Sequence, residues 1–176
     1  MSIGVTETTK QTLSDEAESI NLRAHEKWES GDLRLAFRLM RSAAKLGAYA
    51  ARNNLGYFYD LGIGVKRDRD KVMYWYRRVY DENNAFGAAN IGTIYRDEMK
   101  TSLALRWFQK AVAAGDIDAN LEIAKLLFHR LNDPKTAAHH LKRVLKARGG
   151  IDVSIASKEQ AATLLKKIEH SPAPQR

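Results

Sequence analysis

Apolar residues recur along this chain at helical spacing, and they do so in blocks. Leu55, Phe58 and Tyr59 fall at i, i+3 and i+4, and Val72, Trp75, Tyr76 and Val79 repeat the pattern after a polar interval. Such stripes predict amphipathic helices that each bury one face. Between these two lies the stretch Gly62-Ile-Gly-Val-Lys-Arg-Asp68. Its glycines predict a left-handed end to the first helix, and Asp68 predicts a cap on the second. At the unit boundaries Gly47 and Gly115 close second helices in the same way, and Asp133-Pro134 opens another with a cap followed by proline at the first helical position.

The blocks themselves repeat. Asn54-Leu-Gly-Tyr-Phe-Tyr59 returns as Asn90-Ile-Gly-Thr-Ile-Tyr95, 36 residues on, with an echo in Glu122–Leu127 a further 32 along. A second motif, Trp75-Tyr-Arg-Arg-Val79, is answered by Trp107-Phe-Gln-Lys-Ala111 at an offset of 32, and by weaker copies at Leu39–Ala43 and His140–Val144. Two interleaved motifs on one period predict tandem helix hairpins. Gly56 and Gly92 lie inside helices, where glycine is about 1 kcal/mol worse than alanine. Close approach of an aromatic ring from the partner helix would offset that, and Ala124 keeps the third copy of the position small. The expected fold is all-α, a right-handed α–α superhelix (solenoid) of about four helix-turn-helix repeats at 14–47, 48–84, 85–115 and 116–150. A capping helix at 154–169 follows, with an apolar face of Ile155, Ala162, Leu165 and Ile168. Residues 1–13 and 171–176 are expected to be disordered.

Read as N-L-G-x-x-Y-x-x-G-x-G-V-x-x-D-x-x-K-V-x-x-W-Y-x-R-V, residues 54–79 resemble the Sel-one-like repeat, a relative of the tetratricopeptide repeat with a longer glycine-containing loop. The resemblance extends over about 14–150; the unit at 85–115 lacks the G-x-G-V loop, and the flanking units keep mainly the hydrophobic spacing. It implies a concave groove lined by the first helix of each hairpin, with the second helices facing outward. It also implies a non-enzymatic scaffold or adaptor that binds a protein or peptide in that groove. Some bacterial members act as immunity-type inhibitors of a toxin or effector, which is the narrower expectation. Counted from the small residue of each repeat, the groove positions include Asn53, Tyr57 and Asp60, then Phe86, Thr93 and Arg96, then Lys125, Phe128 and His129. Tyr57, Phe86 and Phe128 would supply an apolar centre rimmed by Asn53, Arg96 and Lys125. The alternative is that Phe86 and Phe128 pack between neighbouring repeats.

Composition narrows the partner without naming it. With 44% hydrophobic and 28% charged residues the 176-residue chain is expected to fold. The net charge of +8 favours an acidic protein partner. Nucleic acid is the alternative, met by basic residues on the second helices such as Arg34, Arg77, Arg106, Lys110 and Arg143. No cysteine is present. The opening MSIGVTETTK has no apolar run behind a basic start, which reads as cytoplasmic, and no stretch approaches the roughly 18 apolar residues of a membrane span.

Nothing points to an active site, cofactor or metal. Gly62-x-Gly64 lacks the third glycine and preceding strand of a dinucleotide loop. His139 and His140 are adjacent on a helix and point about 100° apart, so they cannot chelate together. Acid pairs such as Asp116 and Asp118 sit at a helix start, where the backbone dipole accommodates them.

Overall fold

The computed structural model describes residues 7–82 and 84–170, with side chains from residue 11 onward. The chain forms two compact units, Met1–Glu82 and Asn83–Arg176. The first contains α1 (Glu7–Glu29), α2 (Leu33–Leu46), α3 (Tyr49–Leu61) and α4 (Arg69–Asp81). The second contains α5 (Ala85–Asp97), α6 (Thr101–Ala113), α7 (Ala119–Arg130), α8 (Pro134–Lys146) and α9 (Ile155–His170). Among the described residues there is no strand, only an isolated bridge between Gly149 and Val153. Each helix packs on the next in sequence within its unit, giving two hairpins in the first unit, and two hairpins plus a closing helix in the second.

In the first unit the core is built from Ala36, Phe37 and Met40 of α2, Leu55 and Phe58 of α3, and Val72, Tyr76 and Val79 of α4. Phe37 meets Tyr59 edge-on at 5.4 Å, and Trp28 of α1 meets Phe58 edge-on at 5.1 Å. Burying one such ring stabilises the fold by about 2–3 kcal/mol. Asp68 caps α4, its carboxylate accepting the Lys71 N–H at 3.0 Å. The α3–α4 loop is where glycine is indispensable. Gly64 has φ +65°, and a Cβ there would stand 1.9 Å from the Leu33 carbonyl oxygen, so the loop lies directly on the start of α2.

In the second unit the buried layer runs through Ile91 of α5, Phe108 of α6, Ile123 of α7, and Leu141 and Val144 of α8. Asp133 caps α8 by accepting the Thr136 N–H, with Pro134 in the first turn. Here α5 and α6 are joined by a tight turn in which Met99 takes φ 61°, which replaces the longer glycine loop of the preceding hairpin. His140 donates through Nδ1 to the side-chain Oδ1 of buried Asn120 at 2.9 Å, and the Asn120 amide in turn donates to the Ile117 carbonyl. This ties α8 to α7.

Three expectations change. α1 begins at Glu7, so residues 7–13 are helical instead of disordered; that stretch contains no glycine or proline, and Gln11 bonds Asp15 one turn on. The face that α9 buries is rotated: Ala161 is fully buried and Leu164, Leu165 and Ile168 pack on the α7–α8 core, whereas Ile155 is 64% exposed. The repeated tryptophans, Trp75 and Trp107, are only half-buried; the core ring is the residue after each, Tyr76 and Phe108. Residues 1–6 and 171–176 lie outside the described residues.

Candidate partner-binding surfaces

The first helices of the first unit, α1 and α3, present an aromatic–polar strip. The Tyr57 ring lies 5.9 Å from Trp28, which in turn lies 5.9 Å from His25. Asn54, the opening residue of the repeat motif, donates its amide to His25 Nε2 at 3.1 Å. Tyr57 remains 39% exposed, Asp60 is exposed, and Asn53 is half-buried with polar contacts of its own. Trp28 and His25 were missed by the sequence reading. The signal was present: Ala24 is the fully buried small residue of α1, and the same count from it, one and four residues on, gives His25 and Trp28.

In the second unit the corresponding strip on α5 and α7 is ionic. Arg96 pairs with Glu122 at 2.6 Å and with Asp97 at 2.9 Å, and Lys125 takes the other Glu122 oxygen at 2.7 Å. Burial alone would raise the Glu122 pKa, but the hydrogen bonds and charges of Lys125 and Arg96 outweigh it and hold the carboxyl below its ordinary value. Desolvation likewise works against the Arg96 charge, and its two carboxylate partners more than restore it. Glu122 occupies the repeat position of Asn54, so in both units this position reaches back to the preceding first helix. Thr93 is half-buried one turn before Arg96.

The remaining expected residues separate. Phe128 packs on the α7–α9 core, meets the His129 ring edge-on at 4.8 Å and carries the Lys167 ammonium 5.7 Å from its ring. It is a packing residue, and exposed His129 is the one that faces outward. Beside it Lys125, His129, Leu164 and Lys167 line a cleft of about 410 Å³ between α7 and α9. Phe86 is 64% exposed and lies at the turn end of the unit, lining a different hollow, so Phe86 and Phe128 do not share one apolar centre. The basic residues Arg34, Arg77, Arg106, Lys110 and Arg143 of the second helices are all exposed. Among the described residues no cluster of three His, Asp or Glu side chains is placed to hold a metal.

Repeat motif, helix pairing and the glycine-mediated approach of the hairpins all meet in a family model, the Sel1 repeat, which matches residues 28–47, 50–84 and 89–116. The chain is a Sel1-repeat protein. The matched segments cover α2, the α3–α4 hairpin and most of α5–α6, and the hairpin at 116–150 falls outside them. A sel1-like repeat-containing protein of Acanthamoeba polyphaga mimivirus is 26% identical over 116 residues, 66% of this chain but 22% of the relative. The chain thus spans about a fifth of the length of that curated relative. Among solved structures, a Sel1 repeat protein from Oxalobacter formigenes aligns with TM-score 0.60 and 20% identity over 87% of this chain and 72% of its own. MamA aligns at TM-score 0.55 and 16% identity over 83% of this chain and 92% of its own. A protective antigen of uropathogenic Escherichia coli with an SLR fold aligns at 0.53 and 19% over 94% and 49%. At these identities the likeness shows the fold. No helix among the described residues is long and apolar enough to cross a membrane.

Proposed function

We propose that this Sel1-repeat protein is a non-enzymatic scaffold that holds a protein or peptide partner on its first-helix faces. Repeat folds of this family commonly serve as protein-interaction scaffolds and are generally non-catalytic. The carrying observation is the pair of pre-positioned strips: Tyr57 against Trp28 on α1–α3, and Arg96 locked by Glu122 on α5–α7. A partly exposed aromatic ring and an arginine whose rotamer is already fixed bind with little further loss of side-chain freedom, which is what interface hot spots share. Net charge of +8 favours an acidic partner through faster encounter.

The test is affinity capture from a cytoplasmic extract of the native host, comparing the natural chain with a Tyr57→Ala, Arg96→Ala double variant. Capture should be lost while helicity is retained; capture that survives the double change refutes the assignment. The narrower role of immunity-type inhibitor rests on the resemblance alone, and a toxin among the captured proteins would establish it. Nucleic-acid binding is favoured by one observation, the exposed bases of the second helices, with the Lys110 ammonium 4.1 Å over the half-buried Trp107 ring. It predicts a mobility shift of labelled duplex or single strand at about 50 mM salt that fades steeply as salt rises.

A further inference from the structure

At the turn end of the second unit, away from the ionic strip, lies an open hollow of about 430 Å³. Its walls are the start of α5, the α6–α7 turn and the α8–α9 loop. Phe86 and Ile151 stand on its rim, 64% and 74% exposed, two large apolar side chains beside one recess. Its charged groups are of one sign. Asp116, Asp118 and Asp152 line it, and no basic side chain does, in a protein whose net charge is +8.

The three carboxylates are not equivalent. Asp118 accepts the N–H and hydroxyl of Ser154, pinning the start of α9, and Asp152 is held by the Arg148 guanidinium at 3.1 Å. Asp116 is half-buried, and its carboxylate accepts the N–H of Ala119 at 3.3 Å and that of Asp118. A carboxylate has about four acceptor sites, so two backbone donors leave about half of its capacity open. Burial raises its pKa and the Asp118 charge adds to the rise, and together they outweigh the Ala119 and Asp118 N–H groups, which lower it. A cation arriving here would relieve both effects. There is room for one: a Cβ added at Gly115 or Gly150, both on the wall, would meet nothing within 4 Å. Among the described residues no cluster here is placed to hold a metal ion, and the apolar rim beside the carboxylate suits an organic cation.

We infer that this hollow docks a basic–apolar peptide segment of a partner protein, with a Lys or Arg side chain directed at Asp116 and an adjacent apolar side chain laid between Phe86 and Ile151. The inference goes beyond the scaffold reading and uses a separate surface, so the Tyr57 and Arg96 changes do not touch it. In a chain of net charge +8, this acidic recess is a place to which a basic segment is attracted.

The test is a titration of the isotope-labelled full chain with two synthetic peptides, Gly-Leu-Arg-Leu-Arg-Gly and its glutamate counterpart Gly-Leu-Glu-Leu-Glu-Gly. The basic peptide should shift amides of residues 84–86, 115–119 and 150–154, and the acidic one should leave them unmoved. Asp116→Asn should weaken binding by about tenfold or more, as loss of a charged hydrogen bond does. Ile151→Ser, at a site too exposed to matter for folding, should weaken it as well, and Asp81→Asn, an exposed acid of the other unit, should leave it unchanged. Absence of binding at millimolar peptide, equal binding of the acidic peptide, or shifts confined to the α5–α7 strip would each overturn the inference.

Discussion

A Cβ placed on Gly56 would stand 2.3 Å from Cε1 of Tyr76, so the α4 ring rests directly on the α3 backbone. Gly92 and Phe108 repeat the relationship at 2.8 Å. Where the third copy of the motif carries Ala124, the facing residue is Leu141, and both are fully buried in one cluster. Ring goes with glycine and aliphatic side chain with alanine, because the helices approach to whatever distance the pair of side chains allows.

Gly56→Ala should therefore destabilise the fold by about 1–3 kcal/mol, the usual range for overpacking, despite alanine's better helix propensity. Urea unfolding of Gly56→Ala, Tyr76→Leu and the double variant checks this. The double variant should be more stable than the sum of the single losses predicts, and strict additivity would contradict the pairing.

Gly64→Ala should be worse than Gly31→Ala. Both positions have positive φ, but a Cβ at Gly31 meets nothing within 4 Å while one at Gly64 collides with the Leu33 carbonyl. The Gly31 change should carry only the left-handed strain of about 1 kcal/mol. Gly64→Ala should lose about 2–4 kcal/mol as strain and clash combine. Thermal melts of the two variants decide the order.

His140 gives the fold a pH dependence. Its pKa is lowered first by burial and then by the charges of Arg143 and His139. The unfolded chain therefore takes up a proton at higher pH than the folded one, starting near the ordinary histidine value of about 6.5. The contribution of neutral His140 is fully present above that value and is lost as pH falls through the folded pKa. Stability measured from pH 7.5 down to 5 should decline for the natural chain and decline less for His140→Gln.

Glu122→Gln should lower stability by about 1 kcal/mol, the upper end for a partly exposed ion pair. The carboxyl pKa is depressed in the fold, so its contribution exists above the ordinary glutamate range and disappears as pH falls below it. The deficit of the variant at pH 7 should thus vanish near pH 3, and it should shrink in high salt.

Much of this was legible in the sequence. The hairpin period, the caps at Asp68 and Asp133 and the small positions at Gly56, Gly92 and Ala124 are local, and local chemistry dictates them. The positions of the candidate strips were legible in part. Counting from the small residue located Tyr57 and Arg96, but it did not separate Phe128, which packs under α9, from Phe86, which does not. That difference depends on which helix lies opposite.

The sequence by itself determined that this chain is a run of α-helical hairpins and where each one turns, because helix periodicity, caps and glycine conformations act within a few residues. Tertiary structure decided which ring closes on which glycine, that Glu122 from the next hairpin joins Asp97 in locking Arg96, and that Asp116, Asp118 and Asp152, spread over 36 residues of sequence, share one hollow with Phe86. Those outcomes depend on packing distance between helices remote in the chain, and side-chain identity sets that distance only once both partners are in place.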